Sequence, residues 1–194
     1  YGIAKMYGAA EQAVLQANPN AESNNLNIGT LLIVPFDFEL VPDNVLYTSF
    51  LVEWIVDGLQ ARYPYLKTGS LGRSVMGSKI LYLNLGNGDT EVCYNASFYA
   101  NESITTPVLL KFAEQLMQNY ENEEEIQNVN VQHLFEEFNL YLIPMVNPDG
   151  VDLVNGALDQ GYFYREAIRI ASVYPDIPFP NGWKANIRGV DLNL

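Results

Sequence analysis

Tyr99 and Glu102 stand three residues apart in a polar corner, between an apolar strand pattern and the start of a helix. The stretch reads Glu91-Val-Cys-Tyr-Asn-Ala-Ser-Phe-Tyr99-Ala-Asn-Glu102-Ser-Ile-Thr-Thr-Pro107. In open α/β sheets ligands bind outside the carboxyl ends of strands, where backbone groups are free and side chains from several elements converge. A carboxylate placed there is able to ligate a cation or exchange a proton. Taken alone, the pair also fits a packing aromatic beside a solvated acid, so the reading depends on what accompanies it.

Two further segments do. Asn147-Pro148-Asp149-Gly150 follows the apolar run Phe138–Val146, and Gly189-Val-Asp-Leu-Asn193 lies close to the last residue. The order and spacing of the three segments resemble the zinc carboxypeptidase family of the carboxypeptidase A and T type. In that family the corner reads His-x-x-Glu, and the His and Glu are two of three protein ligands to a catalytic zinc. The resemblance therefore implies zinc as cofactor, with Glu102 and Tyr99 at ligand positions, Tyr99 in place of the family His. A neutral imidazole ligates as it stands, whereas a phenol must first lose its proton.

The same resemblance gives Asn193 and Asn101 to substrate binding. It also implies a cation that polarises the scissile carbonyl. Lys184 aligns with that position by count and Arg188 lies four residues later, so both are candidates for the catalytic cation. The family's Gly-Val-Asp-Leu-Asn-Arg run ends here in Leu194, and leucine lacks the paired hydrogen bonds through which a guanidinium holds a terminal carboxylate. The family's third zinc ligand and its general-base glutamate fall beyond this run.

The elements that must position these residues follow from periodicity. Phe50, Leu51, Trp54, Ile55, Gly58 and Leu59 predict an amphipathic helix from Ser49 to Tyr63, stopped by Pro64. Strands are predicted at Leu71–Val75 and Ile80–Leu85, joined through Met76-Gly77-Ser78, and again at Glu91–Phe98. Thr105 and Thr106 ahead of Pro107 predict a helix whose buried face carries Leu109, Leu110, Phe112, Ala113, Leu116 and Met117, running to about Tyr120. The acidic run Glu121–Glu125 reads as a solvated loop. Phe138–Val146 reads as a central strand covered on both faces, with Asn147–Gly150 as the turn after it. A last helix is predicted over Tyr162–Ala171, followed by a proline-bearing loop whose aromatics either pack or line a groove. The fold class is α/β, a mixed sheet with flanking helices, forming the N-terminal half of a zinc carboxypeptidase-like domain over 45–194.

Residues 1–36 read as a separate α+β module, joined by a linker over 37–44. Ile3, Met6 and Tyr7 share one helical face, Glu11–Ala17 suggests a second helix, and Leu26–Pro35 reads as a turn into a terminal strand. The Tyr7-Gly8 pair, Ala17-Asn-Pro19 and the Leu26-x-x-Gly29-x-x-Leu32-x-x-Pro35 ending resemble a LysM domain, with that family's first strand falling before Tyr1. LysM domains bind N-acetylglucosamine-containing glycans such as peptidoglycan. A LysM joined to this peptidase domain resembles bacterial γ-D-glutamyl-diamino acid peptidases. It implies peptidoglycan glycan and stem peptide as partners and an extracellular or cell-wall location. The alternative function is a catalytically inactive peptidoglycan-binding protein.

Composition sets outer limits. With 23 acidic against 10 basic residues the formal charge is −13, which disfavours nucleic acid and anionic lipid as partners. Apolar runs such as Leu140–Val146 are far shorter than the roughly 20 residues that span a bilayer. Cys93, the single cysteine, excludes an intrachain disulfide and reads as a buried filler in its strand. His133, the single histidine, sits in a polar stretch and reads as a surface residue.

Overall fold

The structure, a computed structural model, describes residues 2–7, 11–19, 26–34 and 39–193. Gly8, Pro35 and Leu194, singled out above, lie outside the described residues. The chain divides into two compact units, Tyr1–Glu39 and Leu40–Leu194.

In the first unit, helices α1 (Gly2–Tyr7) and α2 (Glu11–Ala17) are followed by a turn at Ile28–Gly29. The expected strand does not form over 26–34; the segment is held instead by a side chain. Asn18 donates from Nδ2 to the carbonyls of Val14 and Ile33, and its Oδ1 accepts from Ile33 N at 2.8 Å. One amide thus stands in for a strand partner, satisfying both backbone groups of Ile33.

The second unit begins its regular structure with α3 (Ser49–Arg62), capped by Thr48, whose hydroxyl accepts from Leu51 N. Its buried face is Val52, Ile55, Val56 and Leu59, rotated from the face expected. Phe50 and Trp54 instead lie against each other on the exposed side, ring centroids 4.7 Å apart and planes tilted by 47°. Strands β1 (Lys67–Arg73), β2 (Lys79–Gly86) and β3 (Thr90–Asn95) follow, then α4 (Thr105–Asn122). A small hairpin, β4 (Glu125–Ile126) and β5 (Val129–Asn130), leads to α5 (Val131–Glu137), β6 (Phe138–Ile143), α6 (Pro148–Val154) and α7 (Gly161–Ala171).

The main sheet has the order β1-β2-β6-β3, with β1/β2 and β2/β6 antiparallel and β3/β6 parallel. Its Leu83, Leu85, Leu140 and Leu142 pack with the buried faces of α3 and α4 into the principal core. A second cluster of Leu153, Ala167, Trp183 and Ile187 binds α6, α7 and the segment after them.

Cys93 is exposed, because β3 is an edge strand in this unit and only the side bearing Val92 and Tyr94 meets the core and α4. The acidic run is no loop: Glu121 and Asn122 close α4, Glu123 takes a left-handed backbone as its cap, and Glu125 enters β4. Asn147–Gly150 is less a turn than a helix start, with Asn147 accepting from Gly150 N and Pro148 in the first turn of α6. The β1 strand begins four residues earlier than expected, since an exposed, glycine-rich edge strand carries little hydrophobic pattern.

Candidate functional site

The corner after β3 is made by hydrogen bonds that leave its residues little choice. Ser97 is buried with φ 50, a left-handed backbone uncommon for a side chain other than glycine. It is held by its N–H donating to Thr105 Oγ1 at 2.8 Å and its hydroxyl meeting Thr106 Oγ1 at 2.7 Å, while Thr106 donates to the Pro144 carbonyl. The corner is thereby fixed to the start of α4 on one side and the end of β6 on the other.

Asn147 is the hub. It is buried, its Nδ2 donates to the carbonyls of Phe98 at 3.2 Å and Ala185 at 3.0 Å, and its Oδ1 accepts from Gly150 N. Phe98 belongs to the corner, Gly150 to α6 and Ala185 to the segment leading to Asn193, so three stretches distant in sequence meet at one amide. A backbone bond, Ala100 N to Lys184 O at 3.0 Å, adds a direct tie.

These ties bring Tyr99, Lys184 and Asn193 together. Asn193 Nδ2 donates to Tyr99 Oη at 3.1 Å, and Lys184 Nζ lies 5.1 Å from the centroid of the Tyr99 ring. That separation is within the range of a cation–π attraction. Arg188, the other cation raised by the sequence, is exposed and only its backbone N–H is bonded, to Asn186 Oδ1. Among the described residues its guanidinium makes no hydrogen bond or ion pair.

Glu102 is exposed and reaches the corner through its backbone: its N–H donates to Tyr99 O, and its carbonyl accepts from Thr105. Asn101 is half-buried, and its Oδ1 is enclosed without a hydrogen-bond partner. Such an orphaned acceptor costs about 1–3 kcal/mol in a folded protein and marks a place to look for a ligand. The sequence places Asn147 in a turn, yet an Asn directly ahead of a Pro at a helix start is also a capping signal.

A family model for zinc carboxypeptidase matches residues 52–193. The chain belongs to the zinc carboxypeptidase family. It is 39% identical over 135 residues to gamma-D-glutamyl-L-diamino acid endopeptidase 1 of Lysinibacillus sphaericus, covering 70% of this chain and 34% of that one. An uncharacterized Bacillus subtilis protein is 38% identical over 151 residues, with 76% of this chain and 39% of the other covered. The chain thus spans about a third of the length of these curated relatives. The crystal structure of thrombin activatable fibrinolysis inhibitor superposes with a TM-score of 0.55 at 13% identity, over 91% of this chain and 36% of the other. The bovine form in complex with a tick carboxypeptidase inhibitor gives 0.50 at 16%, over 73% and 37%. At these identities the likeness establishes a carboxypeptidase-like fold.

Hydrolysis by this zinc-dependent family requires a metal, and the residues present do not suit one. Zinc is ordinarily held by Cys, His, Asp and Glu side chains, and a phenol that keeps its proton is a poor substitute for any of them. The phenol of Tyr99, at the position that the resemblance gives to a first ligand, is engaged by an amide donor and lies beneath an ammonium that would repel a dication. His133 is exposed on α5, against Glu136 and Glu137, which is the surface role expected of it.

Proposed function

We propose that this protein is a zinc carboxypeptidase-type protein acting on peptidoglycan stem peptides, impaired in this copy by Tyr99 at a zinc-ligand position. The observation that carries the reading is the Asn193–Tyr99 hydrogen bond beneath Lys184. A phenol whose oxygen accepts from an amide and whose ring faces an ammonium is arranged to meet a carboxylate, not a metal ion. The named endopeptidase relative supports the substrate class.

In this reading Lys184, rather than Arg188, is the cation that meets the carbonyl or carboxylate of the peptide, and Asn193 and Asn101 supply polar contacts. Residues 1–36 serve as a LysM-like glycan-binding module, 37–44 as its linker and 45–194 as the N-terminal half of the peptidase domain. The site of action is the cell wall or the extracellular space. The second reading, complete catalytic inactivity with binding retained, is favoured by the same hydrogen bond, which draws a substrate-gripping amide onto the residue replacing the metal ligand.

The test is to titrate the chain with a γ-D-glutamyl-L-lysine-containing stem peptide and, in parallel, follow that peptide by mass spectrometry with zinc present. Binding with slow or no cleavage is expected. No binding sinks the reading, and cleavage at the pace of an ordinary zinc peptidase removes the impairment. Sedimentation with insoluble peptidoglycan tests the glycan module; a folded chain that stays in the supernatant reduces residues 1–36 to a spacer.

A further inference from the structure

Beside the Tyr99–Lys184 contact lies a cavity of whose lining the roles above use only Lys184. It has a volume of about 230 Å³ and runs between the end of α7 and the segment 177–191. Ile170, Ile177, Phe179 and Trp183 are among its apolar walls, and Lys184 and Asp191 also line it. Packing forms it in advance: Trp183 meets Phe179 edge-on at 5.9 Å and donates from Nε1 to Asn186 O. Two glycines let the walls approach. A Cβ on Gly182 would fall 2.6 Å from Ile177 Cγ2, and one on Gly189 would fall 3.2 Å from Ile170 Cγ2.

Size and charge define the occupant. Pockets that enclose a drug-sized ligand run to about 300–1,000 Å³, so this one admits a single side chain. Its walls favour methylene groups, whereas Lys184 and Asp191 offer one charge of each sign. Neither is ion-paired among the described residues. Asp191 uses Oδ1 to accept from Asn193 N at 2.9 Å, and its other carboxylate oxygen has no hydrogen bond there. A ligand that leaves both charges satisfied carries a carboxyl group, an aliphatic stem and an amine at the stem's far end.

We infer that this cavity is a subsite for the side chain of a diamino acid residue. The stem lies between Ile170 and Trp183, the terminal ammonium meets Asp191, and the carboxyl group meets Lys184. The inference rests on the stem-peptide reading above and adds where the diamino acid sits.

The experiment is calorimetric titration of the whole chain with L-lysine, norleucine and cadaverine, which lack respectively neither group, the side-chain amine and the carboxylate. L-lysine is expected to bind at least about tenfold more tightly than either, the scale of one charge-assisted contact. Asp191→Asn keeps an acceptor for Asn193 N and is expected to bring lysine and norleucine to similar affinity. Ile170→Trp, checked for folding by circular dichroism, fills the cavity and abolishes lysine binding. Equal affinity for lysine and norleucine in the unaltered chain overturns the subsite, as does discrimination that survives both substitutions. If γ-D-glutamyl-L-lysine binds and neither substitution alters it, the subsite falls and the stem-peptide reading stands. If lysine shows the expected selectivity and the dipeptide does not bind, the reverse holds. No binding of any probe overturns both.

Discussion

Asn193 donates a hydrogen bond from its side-chain amide to the phenol oxygen of Tyr99 at 3.1 Å, across 94 residues of sequence. The resemblance to zinc carboxypeptidases assigns the first of these positions to a substrate carboxylate and the second to a metal. Here each residue is the partner of the other. Lys184 over the ring completes a cluster of donors suited to an anion.

That cluster predicts weak metal binding. Loss of groups that merely orient metal ligands weakens binding about 10–100-fold, so replacing an imidazole ligand should cost at least as much. After incubation with zinc and desalting, the chain should retain well under one equivalent by elemental analysis. Tyr99→His should raise retention at least about tenfold. One tightly held zinc on the unaltered chain would show that the phenol is an adequate ligand.

Asn147 to alanine is expected to be among the most damaging single changes near the site. It leaves the carbonyls of Phe98 and Ala185 and the N–H of Gly150 without partners. Buried polar groups left unmade cost about 1–3 kcal/mol each, and partial hydration of the opened space reduces the sum to roughly 2–4 kcal/mol. Urea denaturation should show the midpoint lowered at unchanged slope. A loss below about 0.5 kcal/mol, inside the range of ordinary surface substitutions, would mean that the amide positions nothing.

Gly86 provides a test of the sheet itself. At the end of β2 it has φ 82, and a Cβ there would fall 2.2 Å from the carbonyl oxygen of Phe138. Because that oxygen is backbone, no side chain can move aside to make room. Gly86→Ala combines a left-handed penalty with overpacking, together about 2–5 kcal/mol, or a fall in melting temperature of roughly 2–4 °C per kcal/mol for a domain of this size. Unchanged thermal stability would contradict the β2–β6 register.

The corner was legible in the sequence because an apolar strand pattern broke into polar residues and then a proline-led helix, signals that depend only on neighbours a few residues away. The long amphipathic helix α4 and the central strand β6 were legible for the same reason. Cys93 was not: whether an edge strand's outer face is covered is decided by elements elsewhere in the chain. Nor did spacing choose between Lys184 and Arg188, four residues apart. The bond from Ala100 N to Lys184 O sets which cation lies over Tyr99, and such a contact has no local signature. The exposed aromatic pair Phe50–Trp54 misled the helix face because aromatic residues usually report burial.

The pH dependence of stability should carry a signature of Asp152. Its carboxylate ties α6 to the start of α3, accepting from Ser49 N at 2.7 Å and from Ser49 Oγ at 2.5 Å. Burial raises its pKa above the ordinary 3.8; the Ser49 bonds oppose this and the charge of Asp149 adds to it. A carboxyl group with a raised folded value binds its proton more readily in the folded state. Its contribution is fully present below the unfolded value of 3.8 and is lost as pH rises through the raised one. Asp152→Asn has no such titration and keeps an acceptor for Ser49 N. The stability of the unaltered chain relative to this variant should therefore fall as pH is raised from about 3.5 towards 7, measured by urea unfolding across a pH series. Repulsion within the −13 net charge is nearly common to both proteins and largely cancels in the difference. A relative stability that rises over this interval would mean that the Ser49 bonds outweigh burial and hold the carboxylate ionised.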